Sequence, residues 1–146
     1  MSDPTPQTKR VLVVEDHPDN RALACKVLRR AGFETIEADR AEQLGALVAS
    51  ERPDLILMDI ELPGESGYEA VQRLKADPAS AAIPVIALTA YAMDDDRQRC
   101  FRAGCSDYLS KPIDIALFLE TVRKHLSLGE RLTERHARNC RHKTFR

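Results

Sequence analysis

Three short apolar runs and one mixed one in this chain each give way to a residue able to carry chemistry, and that coincidence restricts the fold more than any other feature. Val11-Leu12-Val13-Val14 leads into Glu15-Asp16, Leu55-Ile56-Leu57-Met58 into Asp59, Val85-Ile86-Ala87-Leu88 into Thr89, and Asp107-Tyr108-Leu109-Ser110 into Lys111. Runs of this length and composition read as strands, and most of them are too apolar to keep a water-facing side, as expected of parallel strands covered on both faces. Thr35–Ala38 is a fifth strand-like stretch. Between the runs the period changes to that of helices. Leu23, Val27 and Leu28 mark a helix from about Asp19 to Ala31, stopped by Gly32; Leu44, Leu47 and Val48 mark a second, ending before Pro53. Tyr68, Val71 and Leu74 mark a third that ends by Pro78, Asp94–Ala103 is a fourth closed by Gly104, and Leu117, Leu119, Val122 and Leu126 mark a fifth. Five strands alternating with five helices predict an α/β fold, (βα)5, in which right-handed crossovers make a doubly wound three-layer sandwich around a five-stranded parallel sheet.

In such a sheet all four chemical sites fall at the carboxyl edge, where open α/β folds bind ligands. Three acids, a hydroxyl and a lysine converging there suit a divalent cation beside a phosphorylated carboxylate. Singly, each residue has a plainer reading: a lone Asp caps a turn, an adjacent Glu-Asp pair is a solvated loop, a strand-end Thr is structural. Their occurrence at corresponding strand ends is what carries the functional reading. His17 follows the acids but has no second histidine nearby to make a soft metal site.

The motifs VLVVEDHPDNR, DLILMDIELPGESGYE, PVIALTAYAM and AGCSDYLSKPI resemble those of response-regulator receiver domains of two-component signalling, most closely stand-alone cell-division-type regulators and the receivers of hybrid histidine kinases. The resemblance spans roughly Lys9 to Leu128 and implies a flavodoxin-like fold. It implies that Asp59 accepts a phosphoryl group as 4-aspartylphosphate, and that Glu15, Asp16, Asp59 and the backbone carbonyl of Glu61 hold Mg²⁺, a hard ion that prefers oxygen ligands. Lys111 and Thr89 would contact the phosphoryl oxygens, and Thr89 with Tyr108 would form the switch. The Lys111–Pro112 bond is expected to be cis, a form found almost only before proline. Glu61 and Tyr91 would flank the path of hydrolytic water and tune dephosphorylation. Glu61 departs from the neutral residues usual at its position, and its side chain is expected either to repel the phosphodonor or to orient water. The implied partners are a histidine kinase or histidine phosphotransfer protein, and a downstream protein reading the face of the fourth helix, fifth strand and fifth helix.

Residues 1–8 read as a flexible lead-in, 9–128 as the receiver domain and 129–146 as a basic tail. With no apolar run near the roughly 20 residues of a membrane span and no apolar core to the lead-in, a cytoplasmic location is expected. Cys25, Cys100, Cys105 and Cys140 form no CxxC pair and read as buried or incidental thiols. From Gly129 to Arg146 six Lys/Arg face two Glu, a net +4 within a whole-chain charge of −1, so the preceding body carries −5. An acidic body makes nucleic-acid binding by the fold an unlikely role. Arg131, Arg135, Arg138 and His142 would form a basic stripe were the tail helical, although a solvated tail is the simpler expectation. Output is expected through a protein contact or a phosphorelay step, with weak self-phosphorylation and self-dephosphorylation; alternatives are a receiver serving as the C-terminal part of a histidine-kinase system and, more remotely, an aspartyl-phosphate hydrolase-like enzyme.

Overall fold

The structure, a computed structural model, describes residues 8–62, 64, 66–90 and 93–127. Five strands, β1 (Arg10–Val14), β2 (Glu34–Ala38), β3 (Leu55–Asp59), β4 (Val85–Thr89) and β5 (Asp107–Ser110), alternate with helices α1 (Pro18–Arg30), α2 (Leu44–Glu51), α3 (Gly67–Ala76), α4 (Asp94–Ala103) and α5 (residues 115–127). A 3-10 turn over Ala41–Gln43 leads into α2. The strands form one parallel sheet in the order β2-β1-β3-β4-β5. This is the doubly wound (βα)5 fold expected from the alternating periods, and the strand order changes direction at β1 and β3.

Period-two alternation divides the strand side chains between two layers. Val11, Val13, Leu55, Leu57, Ile86 and Leu88 face α1 and α5, packing on Ala24, Leu28, Phe118 and Val122. Leu12, Val14, Ile56, Met58, Val85 and Ala87 face the opposite layer with Leu44, Tyr68, Val71 and Leu74. Each large aliphatic side chain buried this way contributes roughly 1.5–3 kcal/mol relative to an exposed one. The edge strands β2 and β5 are less buried, with a single buried residue each, and β2 is braced by charge. Its Glu37 pairs with Arg21 and Arg29 at 3.2 and 3.3 Å, in partly exposed contacts of small energetic weight.

Two helical stripes differ from their expected residues. Leu23 is 41% exposed, and Ala24, Cys25, Val27 and Leu28 make the buried face of α1 instead. In α5 Leu117 is 49% exposed while Phe118 is 1% exposed. The leucine periodicity was sound for Val122 and Leu126 but misassigned the first turn, where the bulkier aromatic takes the inward position.

Helix ends follow local chemistry. Ser66 caps α3, accepting from the Tyr68 amide at 3.1 Å, while the Glu69 carboxylate accepts from the Ser66 amide at 3.2 Å. Gly104, at φ +114°, closes α4: its amide donates to Phe101 and the Cys105 amide to Cys100, at 3.1 and 3.0 Å. This pair of hydrogen bonds is the motif in which the first residue beyond the glycine closes on the helix's last turn, and Cys100 and Cys105, the two residues it joins through their backbones, are both buried. Helix α4 otherwise buries only Ala103. Its other contacts are Phe101, edge-on to Tyr108, and two arginines, Arg99 over the Tyr68 ring at 4.2 Å and Arg97 over Tyr108 at 5.9 Å.

Candidate functional site

The sheet delivers the site residues to one edge. Glu15 and Asp16 follow β1, Asp59 is the last residue of β3, Thr89 the last of β4, and Lys111 the first after β5. Backbone bonds hold these ends in place: the Glu15 amide donates to Ala38 at 3.0 Å, that of Ile60 to Leu88 at 2.9 Å, and that of Lys111 to Thr89 at 2.8 Å. The Lys111–Pro112 peptide is cis, as the sequence resemblance implied. Below Asp59 the chain turns into α3 at Gly67. A Cβ there would stand 2.6 Å from the Ile60 Cα and 2.8 Å from the Asp59 carbonyl oxygen, so only glycine lets the helix start this close to the end of β3.

Carboxylate oxygens of Glu15, Asp16 and Asp59 lie within 4.8 Å of one another. Glu15 and Asp59 are 2% and 1% exposed, whereas Asp16 faces solvent. The Asp59 Oδ1 accepts from the Glu61 amide at 2.9 Å and lies 3.0 Å from the Lys111 ammonium, which is also 3.4 Å from a Glu15 oxygen. One lysine thus faces several acids. Burial, followed by hydrogen bonding to Asp59 and repulsion from it, pushes the Glu15 carboxyl up to about 7. Burial opposes the charge on Lys111, but hydrogen bonding and attraction to Asp59, then attraction to Glu15, outweigh it and hold the ammonium above its usual range. A pocket of hard oxygen donors with excess negative charge and a carboxyl driven toward its neutral form fits a divalent cation. His17, set aside as a ligand, contributes its amide to a Glu15 oxygen at 3.2 Å.

The Glu61 side chain has a contact that sequence reasoning missed. Its carboxylate accepts from the Thr89 hydroxyl at 2.7 Å and from the Ala90 amide at 3.0 Å, and lies 4.0 Å from the Lys111 ammonium. An acid two residues beyond Asp59 was visible in the chain; that it turns back onto the end of β4 depends on a tertiary contact. Tyr108 is half-buried against the α2–α4 layer, edge-on to Phe101 with ring centres 6.2 Å apart. Tyr91, the expected partner of Glu61 in dephosphorylation, lies outside the described residues, as does the basic tail 129–146.

Residues 11–123 match the family model of the response regulator receiver domain. The chain belongs to that family. The polar-differentiation response regulator DivK of Brucella anthropi is 43% identical over 118 residues, covering 81% of this chain and 96% of that protein. DivK of Brucella melitensis is 43% identical over 119 residues, covering 82% and 97%. Among solved structures, a putative response regulator from Chloroflexus aurantiacus superposes with a TM-score of 0.80 at 29% identity, over 83% of this chain and 99% of that one. The receiver domain of a sensor histidine kinase from Pseudomonas aeruginosa, solved with a magnesium ion coordinated in its active-site cleft, gives 0.76 at 33% identity, over 83% and 99%. Receiver domains are signalling modules that accept a phosphoryl group and interact with histidine kinases and downstream partners, and this receiver domain is one of them. No helix among its described residues is long and apolar enough to cross a membrane.

Proposed function

We propose that Asp59 is the phosphoryl acceptor of this receiver domain. The observation that carries the reading is the placement of a 1%-exposed carboxylate at the centre of the carboxyl edge, 3.0 Å from the Lys111 ammonium and within a carboxylate cluster with Glu15 and Asp16. A carboxylate oxygen of Asp59 attacks phosphorus, the phosphorus–nitrogen bond of a phosphohistidine donor breaks, and the imidazole leaves with a proton. The transition state is loose and in-line, so the protein's contribution is positioning and charge neutralisation. Glu15, Asp16, Asp59 and the Glu61 carbonyl would hold Mg²⁺, whose charge would let two anions meet. Lys111 and the Thr89 hydroxyl then satisfy phosphoryl oxygens, and the shift of Thr89 is relayed to Tyr108 and to the surface of α4, β5 and α5. The donor is a histidine kinase or phosphotransfer protein, the reader a protein on that face, the setting cytoplasmic, and nucleic acid no partner of the fold.

We assign the receiver unit to residues 9–128, with the lead-in 1–8 and tail 129–146 outside it. Likeness to the receiver of a sensor histidine kinase supports a second reading, that the chain relays phosphoryl groups within a kinase system. The family assignment removes the hydrolase-like alternative; self-phosphorylation and self-dephosphorylation are proposed as weak side activities of a signalling module. The test is labelling with acetyl phosphate and Mg²⁺. Wild type should gain one acid-stable, base-labile phosphoryl group that Asp59→Asn lacks, since the amide is isosteric and a poor nucleophile. Full labelling of Asp59→Asn would place the acceptor elsewhere.

A further inference from the structure

Glu61 holds the Thr89 hydroxyl, a donor assigned above to the phosphoryl group at Asp59, together with the adjacent Ala90 amide. In the phosphate-free protein its two carboxylate oxygens divide the Thr89 hydroxyl and the Ala90 amide between them, at 2.7 and 3.0 Å, with Lys111 4.0 Å away and itself 3.0 Å from Asp59. A hydroxyl, an amide and an ammonium gathered around one anion make an anion seat, and the chain fills it from within. The Asp59 side chain beneath is 1% accessible and that of Glu61 31%, so Glu61 lies on the solvent side of the acceptor and can leave without unfolding anything.

We propose that the Glu61 carboxylate is an internal occupant of the phosphoryl seat, a gate that must swing out before Asp59 can be phosphorylated and that meanwhile holds Thr89 inward. The proposal rests on Asp59 being the acceptor. Two consequences follow from the contacts. Entry of the phosphoryl group exchanges one anion for another at Thr89 and Ala90, so the incoming group must displace two charge-assisted hydrogen bonds. Meanwhile Thr89 is already drawn toward the seat in the resting protein, which leaves less of its movement for phosphorylation to cause. Glu61 is therefore a positioning residue: it acts through Thr89, Ala90 and access to Asp59, and touches no bond that breaks.

The experiment uses the full chain with Glu61→Gln, which keeps one acceptor oxygen and loses the charge, and Glu61→Ala, which loses both. Thermal melts establish that both fold. In phosphate-free protein with chelator, the Ala90 amide proton should move upfield in Glu61→Ala and by a smaller amount in Glu61→Gln. With acetyl phosphate and Mg²⁺, the labelling rate should rise about tenfold in Glu61→Ala, the worth of one strong hydrogen bond lost from the resting state, and by an intermediate factor in Glu61→Gln. Affinity for beryllofluoride should rise in the same order. An Ala90 resonance unmoved by Glu61→Ala overturns the proposal, and so does a moved resonance with labelling within twofold of wild type. Absence of labelling in wild type and both variants would overturn the acceptor assignment, recognisable because the Ala90 shift would persist, and the gate would fall with it.

Discussion

Glu15→Gln isolates the electrostatic stress of the acidic edge. In the folded protein burial and the neighbouring Asp59 carry the Glu15 carboxyl from 4.5 to about 7. A raised folded value means that the native state holds a proton the unfolded chain gives up between those limits. Metal-free stability attributable to Glu15 is therefore intact below pH 4.5, falls as pH rises through the window, and levels off above 7. Each pKa unit is worth about 1.4 kcal/mol, so the full loss is on the order of 3 kcal/mol, shared among Glu15, Asp59 and Lys111 as one coupled group. Glutamine keeps the shape of the side chain and can still donate to Asp59, but has no proton to lose. The variant should match wild type near pH 4.5 and exceed it by about 2–3 kcal/mol at pH 8, measured by urea denaturation in chelator across that range. Saturating Mg²⁺ at pH 8 should reverse the order, because the cation takes the place of the proton in wild type only. Parallel pH curves for the two proteins, or a wild type that gains on the variant as pH rises in chelator, would refute the crowding argument.

Three further outcomes are expected. Thr89→Ala should still bind beryllofluoride at Asp59 yet lose the amide shifts over Tyr108, Asp94–Ala103 and residues 115–126; wild-type shifts confined to the loops around Asp59 would show that this face is not coupled to the site. Gly67→Ala places a methyl 2.6 Å from backbone that cannot yield easily, so it should cost about 1–3 kcal/mol in a thermal or urea melt and slow acetyl phosphate labelling; an unchanged melting point would contradict the close approach. Phe118→Ala should cost about 3–5 kcal/mol against roughly 0.5 kcal/mol for Leu117→Ala, and equal losses would mean that the inward face of α5 is assigned wrongly.

The fold was legible because its signals are local. Unbroken runs such as Leu55–Met58 report a strand covered on both sides, and the change to helical period reports a crossover, so the parallel sheet and the meeting of Glu15, Asp59, Thr89 and Lys111 at its carboxyl edge follow from that alternation, while the strand order itself does not. What stayed hidden depends on contacts between distant segments. Nothing in the order Asp-Ile-Glu says that Glu61 bends toward Thr89, and nothing in Glu-Ser-Gly says that Gly67 abuts the backbone of Asp59. The inward choice of Phe118 over Leu117 is a packing decision between two apolar neighbours, which periodicity ranks poorly. The backbone link between Cys105 and Cys100 could have been read from the chain, since a glycine closing a helix brings the next residue's amide onto a carbonyl of the last turn.

The sparse burial of α4 has a consequence for how signals leave the molecule. A helix that fully buries only Cys100 and Ala103, its other contacts being Phe101 edge-on to Tyr108 and two arginines over rings, has little apolar area to forfeit when it lifts from the sheet. By that burial its opening free energy is expected to lie below that of α3, which seats Tyr68, Val71 and Leu74. Amide exchange should accordingly be faster along α4 than along α3 under native conditions. A receiver built this way needs no large input to remodel its surface: a bias of about 1–3 kcal/mol between docked and displaced α4 shifts their populations by one to two orders of magnitude. A partner that prefers the displaced conformer would then act by selection rather than by remodelling.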